Sequence, residues 1–419
     1  MLIGPAVRVL VTDAHTTTAL AVVRSLGAAG LDVTIVGERG RFNLAAHSRY
    51  VTRVVTCAPA EEEPLAYVDQ IVRELERSPV DLLIPLTDTT VTIFKHFRNR
   101  VQKLVRLALP SDEALEAALD KQRTVAIAEE HGVVAPATRA FASLAAMEEA
   151  APSLRYPCVV KPRYSRQWDG SGPVIRGTVR YAASAESLSA IYRAARQRPE
   201  FLLVQELVQG TGLGVFVLAD QGRPLAMFAH RRLREANPTG GRASLAESIA
   251  LEERLTGPAL RLFEALRWTG VGMVEFKDPG PGQPPVVMEI NGRFWGSLPL
   301  AIAAGVDFPL MLARLLLGHE LPETGGYTVG VRCRHLKGDL SYLTGALKGR
   351  PRGWRGPFPS RLSAIAAVAP WPGRWRAYNF RVTDPIPALR EAGDFLVKEA
   401  RSLTSRRRAG TVEYPSPSQ

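Results

Sequence analysis

Short apolar runs alternate with a helical pattern along the first part of the chain. The runs that are typical of strands are Val7–Val11, Asp32–Val36, Asp81–Pro85 and Arg106–Leu109. The segment from about Thr17 to Ala29 has the pattern of a helix. Strands and helices that alternate in this order predict βα units on a parallel sheet. The loop after the first strand, Thr12–Thr18, lacks GxGxxG, so no dinucleotide site is indicated there.

A second block, from Ser111 to about Gly318, mixes helical and strand-like patterns and predicts an α+β unit. The segment that Ser111 begins has acidic residues in its first turn and ends at a glycine, which is typical of one helix. Two buried strands are predicted at Tyr156–Pro162 and Phe201–Glu206. The polar, glycine-containing stretch between them, Arg163–Gly172, is a candidate cover for phosphates.

The longest apolar stretch, Ser297–Gly318, approaches the length of a membrane span. It contains Asp307, Arg314 and two prolines, which are unfavourable in a lipid-exposed helix, so we expect a buried helical region. The first dozen residues are also apolar. Arg8 interrupts them and Asp13 follows, so they fit a first strand better than a signal peptide.

Two strand-like runs, Gly270–Lys277 and Pro285–Asn291, flank the turn-forming stretch DPGPGQP. Side chains alternate across a strand, so Glu289 and Asn291 share one face, and an antiparallel partner can bring Glu275 onto that face. Carboxylates on an apolar sheet face are costly to bury unless a cation or a donor compensates them. Three oxygen ligands suit Mg²⁺ bound together with a phosphate; the alternative is a hairpin with two solvated acids.

Length and composition narrow the class of protein. A chain of 419 residues suits two or three domains, and 46% hydrophobic with 22% charged residues predicts globular domains. Cys57, Cys158 and Cys333 lack CxxC spacing, which supports neither a disulfide framework nor a zinc site and indicates a reducing cytoplasm. The sequence has no GxSxG elbow and no HExxH pair, so serine hydrolase and zinc protease chemistry are not indicated.

Positive charge is concentrated late in the chain. Residues 331–419 contain 17 Lys and Arg against 6 Asp and Glu, so most of the net charge of +12 lies there. Tryptophans lie among these arginines, and Pro387–Arg408 has the pattern of an amphipathic helix. Such a tail contacts an anionic membrane surface or a nucleic acid, or packs on the core with arginine stems over apolar surface. We expect at most weak membrane contact and no specific nucleic-acid binding.

Basic residues also lie inside the second block. In the run Phe228–Gly241, His230 is followed by three arginines, which are Arg231, Arg232 and Arg234. The run either clamps an anionic intermediate with guanidinium groups or forms an exposed basic strand. Lys161, which closes a predicted buried strand, is a candidate fixed cation for phosphate oxygens.

Four segments, in their order and spacing, resemble the ATP-grasp superfamily. They are LDKQRTVAIAEEHG, which contains Lys121; CVVKPR, which contains Lys161; VQELVQG at 204–210; and EF with MEINGR at 275–293. Over about residues 1–330 the chain is most similar to the carbamoyl-phosphate-synthase-like group of ATP-grasp proteins.

The resemblance implies an ATP-grasp fold that is α/β and α+β. It divides the chain into an N-terminal parallel α/β (pre-ATP-grasp) domain at 1–112, a two-lobed nucleotide-binding domain at 113–320, and a basic C-terminal region at 321–419. ATP would bind between the two lobes.

The resemblance also implies roles for single residues around the nucleotide. Lys121 and Lys161 match the lysines that hold the phosphates. The residues that match the segment reading the adenine edge are Gln205, Glu206, Leu207 and Val208. Relatives often carry an acid for the ribose where this chain has Thr211, so ribose recognition differs here.

On the reacting side, three residues match ligands of Mg²⁺, with Mn²⁺ as an alternative: Glu275, Glu289 and Asn291. Arg293 matches a basic residue that faces the transferred phosphoryl group. His230 and Arg232 match contacts to substrate or phosphate.

The reaction that the resemblance implies is carboxylate activation. The γ-phosphoryl group of ATP moves to a small-molecule carboxylate, and an amine or similar nucleophile then attacks the acyl phosphate. Such chemistry demands charge neutralisation and in-line positioning, so it needs no covalent nucleophile. Two alternatives remain open, which are ATP-dependent phosphotransfer without ligation and a nucleotide-binding regulatory module.

Overall fold

The computed structural model describes residues 7–195, 199–322, 325–351, 354, 356–369, 375–395 and 397. The first strands are β1 (Arg8–Val11), β2 (Asp32–Glu38), β3 (Arg53–Cys57), β4 (Leu82–Ile84) and β5 (Arg106–Leu107). The helices among them are α1 (Thr17–Ala28), α2 (Pro64–Arg77), α3 (Asp88–His96) and α4 (Arg98–Val101). The strands form one parallel sheet of order β3-β2-β1-β4-β5. The predicted parallel α/β arrangement is confirmed.

The carboxyl ends of β1 and β4 are fastened to each other by Asp13. Its carboxylate accepts hydrogen bonds from the hydroxyls of Thr87 at 2.9 Å and Thr90 at 2.7 Å. The Thr87 hydroxyl in turn caps α3 by accepting from the backbone N–H of Thr90. As a result, the first residue of α3, Asp88, is fixed at the edge of the sheet where ligands bind in open parallel sheets.

The segment that Ser111 begins is two helices rather than the one helix predicted. They are α5 (Asp112–Leu119) and α6 (Lys121–Glu130), and they meet at Asp120. Asp120 has an extended backbone, and its carboxylate caps α6 by accepting from the N–H groups of Gln122 and Arg123. The same carboxylate accepts two hydrogen bonds from Arg163, from Nε at 2.8 Å and from Nη2 at 2.6 Å. The break therefore places Lys121 at the start of a helix.

The next part of the chain forms a small antiparallel lobe. Its elements are β6 (Thr138–Ala140), α7 (Leu144–Ala150), β7 (Cys158–Pro162), β8 (Arg166–Gln167), β9 (Ile175–Arg176), β10 (Arg180–Ala182), α8 (Ala185–Arg193) and β11 (Leu202–Glu206). Four strands pair in the order β10-β7-β11-β6, and β8 pairs with β9 as a separate hairpin. The helices α7 and α8 cover an apolar core on one face of this sheet. The predicted strands around Lys161 and Gln205 are neighbours in it.

A larger sheet follows, which is antiparallel except for its last two strands, and these pair in parallel. Its strands are β12 (Thr211–Asp220), β13 (Arg223–Glu235), β14 (Ala243–Ile249), β15 (Gly270–Asp278), β16 (Val286–Asn291), β17 (Arg332–Arg334) and β18 (Trp375–Ala377). They pair in the order β16-β15-β12-β13-β14-β17-β18. The helices are α9 (Glu253–Ala265), α10 (Leu298–Ala304), α11 (Phe308–Leu317), α12 (Leu336–Lys348), α13 (Arg361–Val368) and α14, at 386–395. The parallel N-terminal sheet and the later, mainly antiparallel sheets together make a mixed α/β and α+β architecture, as predicted.

The chain after residue 320 is attached to the rest of the protein at both ends of its described part. β17 and β18 extend the larger sheet, and Asp339 on α12 binds Arg234 of β13. Asp384 accepts from Arg24 of α1 at 2.8 Å and from the hydroxyl of Ser48 at 2.7 Å. Helix α14 covers the first part of the predicted amphipathic helix, whereas its basic end, Arg406–Arg408, lies outside the described residues.

The apolar stretch Ser297–Gly318 is helical and largely buried, as predicted, but it is two helices. α10 and α11 meet at an angle of 91°. Among the described residues, neither these nor any other single helix is long and apolar enough to cross a membrane, although this bent pair has the required length and composition.

Candidate active site

The two predicted acids lie directly opposite each other on neighbouring strands. Glu275 of β15 pairs with Glu289 of β16, and a bulge follows immediately at Phe276. The Nδ2 amide of Asn291 donates to Glu289 Oε1 at 3.0 Å, so these two side chains share one face of β16. The predicted arrangement of Glu275, Glu289 and Asn291 on one sheet face is therefore confirmed, although their function is a separate matter.

Arg232 of β13 reaches the same face and binds Glu275 with both ends of its guanidinium, at 2.8 and 2.5 Å. Burial raises the pKa of the Glu275 carboxyl above its usual range, an effect that Arg232 opposes and Glu289 reinforces. Attraction to Glu275, and more weakly to Glu235 and Glu289, outweighs burial and raises the pKa of Arg232. Arg232 is thus a permanent cation that fixes the position of Glu275.

A second guanidinium, Arg293, lies just beyond the end of β16. It donates to Asn291 Oδ1 at 3.1 Å and to the two oxygens of Asp88 at 2.5 and 3.1 Å. Burial alone would raise the pKa of Asp88. The charge of Arg293 and its hydrogen bond together outweigh burial, so the pKa of Asp88 lies below its usual range. Asp88 was not predicted as a site residue.

The two predicted lysines approach the acids from different elements, Lys161 from β7 of the smaller lobe and Lys121 from the start of α6. Lys121 donates from Nζ to the hydroxyl of Ser165 at 2.7 Å, inside the polar stretch that was predicted to cover phosphates. Lys161 is buried, and burial together with repulsion from Lys121 lowers its pKa to about 8, against the attraction of Glu289 and Glu275. Burial alone would raise the pKa of Glu289, but Lys121, Asn291 and Lys161 together lower it. The lysines and acids therefore form one electrostatic unit.

The residues of this face fit a divalent cation. Two buried carboxylates lie side by side, and part of their charge is uncompensated, because Glu289 still raises the pKa of Glu275. A carboxylate has about four acceptor positions, so Glu275 can bind an ion while it holds Arg232. Asn291 differs, since its Oδ1 accepts from Arg293 and would have to turn toward the ion to become a ligand.

The predicted adenine-reading segment connects the two lobes. Gln205 and Glu206 end β11 and are turned toward β6, where Gln205 binds the Thr138 hydroxyl at 2.7 Å and Glu206 accepts from Ala137 N–H at 3.0 Å. Leu207 and Val208 are half-buried in the connection itself.

The connection needs a glycine at its end. Gly210 has a φ of 139°, and a Cβ there would lie 2.2 Å from the carbonyl oxygen of Asp278. Thr211, the residue that differs from relatives, is exposed and pairs with Asp278. The position of this segment agrees with the predicted site, while its contacts to adenine stay a prediction.

The basic run of β13 is neither an open clamp nor an exposed basic strand. Each of its three arginines is held by an acid: Arg231 by Glu247, Arg232 by Glu275, and Arg234 by Asp339. An unneutralised guanidinium comes directly after the run. Arg242 is exposed and has no carboxylate within ion-pair distance among the described residues, and partial desolvation with repulsion from Arg176 and Arg293 lowers its pKa.

A cavity of about 130 Å³ lies between the acids and the chain after residue 320. Its wall includes Glu275, Glu289 and Asn291 on one side and His335 and Tyr378 on the other. Neither of the last two was predicted, since nothing in the sequence places them near the hairpin acids. The predicted residues Arg232, Arg293 and His230 also line the cavity, and Thr17 at the start of α1 closes it from the N-terminal domain.

His230 is buried in this wall. Its Nδ1 lies 3.1 Å from the hydroxyl of Ser297, and its ring meets Phe216 edge-on at 4.7 Å. Burial, with repulsion from Arg232, lowers the pKa of His230 well below its usual value. At neutral pH it is therefore uncharged, which makes it a hydrogen-bonding group and not a phosphate-binding cation.

Comparison with known proteins identifies the fold and the superfamily. A family described as "ATP-grasp in the biosynthetic pathway with Ter operon" matches residues 198–338, which include the hairpin acids. The chain belongs to the ATP-grasp superfamily. It is 28% identical over 211 residues to the D-alanine–D-alanine ligase of Marinobacter nauticus, a match that covers 48% of this ATP-grasp chain and 62% of the relative's length.

Solved structures resemble this ATP-grasp chain over a larger part. The biotin carboxylase of Campylobacter jejuni, solved as a β,γ-ATP complex, matches with a TM-score of 0.61 and 18% identity. The match covers 78% of this chain and 74% of the biotin carboxylase chain. The L-amino acid ligase of Bacillus licheniformis has a TM-score of 0.56 and 17% identity and covers 74% of each chain. These likenesses support the ATP-grasp fold. The narrower likeness to carbamoyl-phosphate-synthase-like proteins stays a prediction.

Proposed function

We propose that this protein is an ATP-dependent ligase that activates a carboxylate as an acyl phosphate and joins it to an amine or a similar nucleophile. The observation that carries the proposal is the charge interaction of Glu289 on the larger sheet with Lys161 of the smaller lobe and with Lys121 at the start of α6. The D-alanine–D-alanine ligase and L-amino acid ligase relatives support it. The cofactors are ATP and Mg²⁺, with Mn²⁺ as an alternative metal.

The lysines and acids have complementary tasks in this proposal. Lys121 and Lys161 hold the phosphates of ATP, and Glu275, Glu289 and Asn291 would hold the metal, which would supply positive charge that neutralises the phosphates. Gln205, Glu206, Leu207 and Val208 hold the adenine. The protein thereby fixes the γ-phosphoryl group at the part of the cavity wall that Glu289 and Asn291 form.

The arginines act on the transferred group. Arg293 and Arg242 both line the cavity where negative charge moves from ATP to the carboxylate. Arg293 is held by Asp88, and a fixed guanidinium group stabilises such charge without reorganisation. Arg232 holds Glu275 in place, and the neutral His230 contributes a hydrogen bond to the substrate. The cavity between these groups is lined by the larger sheet, by the chain after residue 320 and by Thr17 of the N-terminal domain, and these walls limit the access of water to an acyl phosphate.

Hydroxylamine trapping tests the reaction directly. The full chain is incubated with Mg-ATP, hydroxylamine and a panel of small acids and amino acids, and hydroxamate and ADP are measured. A ligase forms hydroxamate in amounts that match the ADP, because hydroxylamine attacks the acyl phosphate. Glu289→Gln should remove both products, whereas Glu130→Gln, on an exposed part of α6, should leave them unchanged.

Other outcomes separate the alternatives. ADP release with a stable phosphorylated acid and no hydroxamate would indicate phosphotransfer without ligation. Tight binding of Mg-ATP with no turnover for any acid would indicate a regulatory module. Hydroxamate formation that persists in Glu289→Gln would contradict the proposed site.

A further inference from the structure

Five buried polar atoms around the cavity have no hydrogen-bond partner among the described residues. They are His230 Nε2, Arg232 Nε, Trp295 Nε1, His335 Nε2 and the Tyr378 hydroxyl. A buried polar atom without a partner costs about 1–3 kcal/mol, and native proteins contain few of them. Five around one cavity indicate that the partners are supplied from inside the cavity.

The chemistry of these atoms restricts what can lie there. Trp295 Nε1 and Arg232 Nε are donors only, so an occupant must offer acceptors to them. Burial, reinforced by repulsion from Arg242, lowers the pKa of His335 to about 4, so its ring is neutral at pH 7, as is that of His230. A neutral imidazole nitrogen and a tyrosine hydroxyl can each donate as well. An alkyl group would leave all five atoms unsatisfied.

The volume sets a second limit. A single water needs about 10–15 Å³ of such space, so 130 Å³ holds a small polar group and not a long chain. Glu289 and Asn291, where the proposed reaction takes place, form one part of the wall of this space. Trp295, His335 and Tyr378 form another part.

The part of the wall that His335 and Tyr378 form belongs to the chain after residue 320, and it is held firmly. The rings of His335 and Tyr378 stack at 5.8 Å, and Tyr378 N–H donates to the carbonyl of Arg334 at 2.9 Å. His335 N–H donates to the carbonyl of Ser244 on β14 at 2.7 Å. Both side chains are therefore presented by β17, β18 and the residues that follow them.

We propose that this cavity binds the non-reacting end of the acid substrate, that this end carries hydrogen-bond acceptors such as hydroxyl oxygens, and that His335 and Tyr378 determine which acid is accepted. The inference rests on the proposed ligase function for the identity of the occupant as an acid. It gives the described chain after residue 320 a role in substrate selection.

The test uses pairs of acids that differ by one hydroxyl group. Glycolate is compared with acetate, and lactate with propionate, by titrating each into ¹⁵N-labelled full chain with Mg-ADP. The signal is the indole N–H resonance of Trp295, assigned among the six tryptophans by its loss in Trp295→Phe. We expect the hydroxy acid of each pair to shift this resonance at a concentration at least tenfold lower than the alkyl acid. Tyr378→Phe should reduce the difference to less than threefold.

Matched variants control for indirect effects. Tyr342→Phe removes a hydroxyl from α12 outside the cavity and should keep the tenfold difference. His335→Gln should reduce the difference to less than threefold, as Tyr378→Phe does, whereas His319→Gln, at an exposed position, should keep it. Equal shifts with both members of each pair, or an unchanged difference in Tyr378→Phe, would overturn the inference. No shift with any of the four acids would also overturn it and would indicate a cavity that holds only water. If hydroxamate forms but the hydroxy and alkyl acids bind equally well, this inference alone is overturned. If the hydroxy acids bind more tightly but no hydroxamate forms with any acid, the proposed ligase function alone is overturned.

Discussion

Arg293 and Asp88, which are 205 residues apart in the chain, form an ion pair between the end of β16 and the first residue of α3, with Nε 2.5 Å from Oδ1. Both side chains are about one-fifth exposed. The N-terminal parallel domain thereby fixes the guanidinium that faces the proposed phosphoryl group. Arg293 also donates to Asn291, so the same contact positions a proposed metal ligand.

The first prediction concerns this pair. Asp88→Asn keeps the shape but removes the charge, so Arg293 loses its anchor and competes for the hairpin acids instead. We expect kcat for ADP release to fall at least tenfold, about 1.4 kcal/mol, with a change of less than threefold in the Kd for Mg-ATP. Steady-state kinetics and calorimetry measure the two. Asp69→Asn removes an exposed partner of Arg100 and is the control. Equal losses in both variants would contradict a positioning role for Asp88.

The second prediction concerns the metal. Glu289→Gln halves the negative charge of the hairpin pair, so Mg-ATP binding should weaken by at least tenfold, about 1.4 kcal/mol. ATP binding without Mg²⁺ should change by less than threefold, because Lys121 and Lys161 remain. Isothermal titration of ATP with and without Mg²⁺ gives both values. An equal loss under the two conditions would indicate that Glu289 supports the fold and not a metal.

The third prediction concerns the attachment of the chain after residue 320. Asp339 binds Arg234 at 2.5 Å and also pairs with Arg334, and all three side chains are at most one-tenth exposed. Asp339→Asn would leave two buried guanidinium groups without a carboxylate, and breaking a buried pair costs about 3–5 kcal/mol. Denaturant unfolding should show a loss of that size. Asp112→Asn, whose side chain is largely exposed beside Arg98, should cost less than about 1 kcal/mol.

Local patterns in the sequence were enough to predict the elements and the face of the hairpin. The two-residue period of a strand puts Glu289 and Asn291 on one side, and the turn between the two strands makes β16 an antiparallel neighbour of β15, which brings Glu275 to the same side. The break at Asp120 was missed because an aspartate inside a helical run has the same local signal whether it caps a second helix or continues the first. Capping depends on its contact with Arg163, which is distant in sequence.

The residues that complete the site could not be predicted for a similar reason. Asp88, His335 and Tyr378 reach the cavity through strand pairing and domain packing, and no spacing relates them to the hairpin. Whether Arg242 or the arginines of β13 are neutralised depends on which acids lie opposite them. Sequence patterns identify groups that are capable of chemistry, whereas their charge balance is set by tertiary contacts.

The last prediction is a pH dependence that arises from Lys161. Its pKa is about 8 in the free protein, and bound phosphates would raise it, since an opposite charge favours the protonated form. ATP therefore binds the charged lysine, and its affinity should fall as the pH rises through about 8, by roughly tenfold at pH 9 relative to pH 7. At pH 9, binding should also take up nearly one proton, which calorimetry in two buffers of different ionisation enthalpy measures.

Substitution of the lysine separates this effect from others. Lys161→Arg stays charged throughout the range, so its Mg-ATP affinity should be constant between pH 7 and pH 9 and its proton uptake close to zero. Lys161→Gln should bind more weakly than the wild type at pH 7 but with the same flat profile, so it provides the comparison even where arginine does not fit the site. If either variant kept the wild-type slope, the titrating group would be another residue, and the fixed cation at the end of β7 would not be the one that the nucleotide uses.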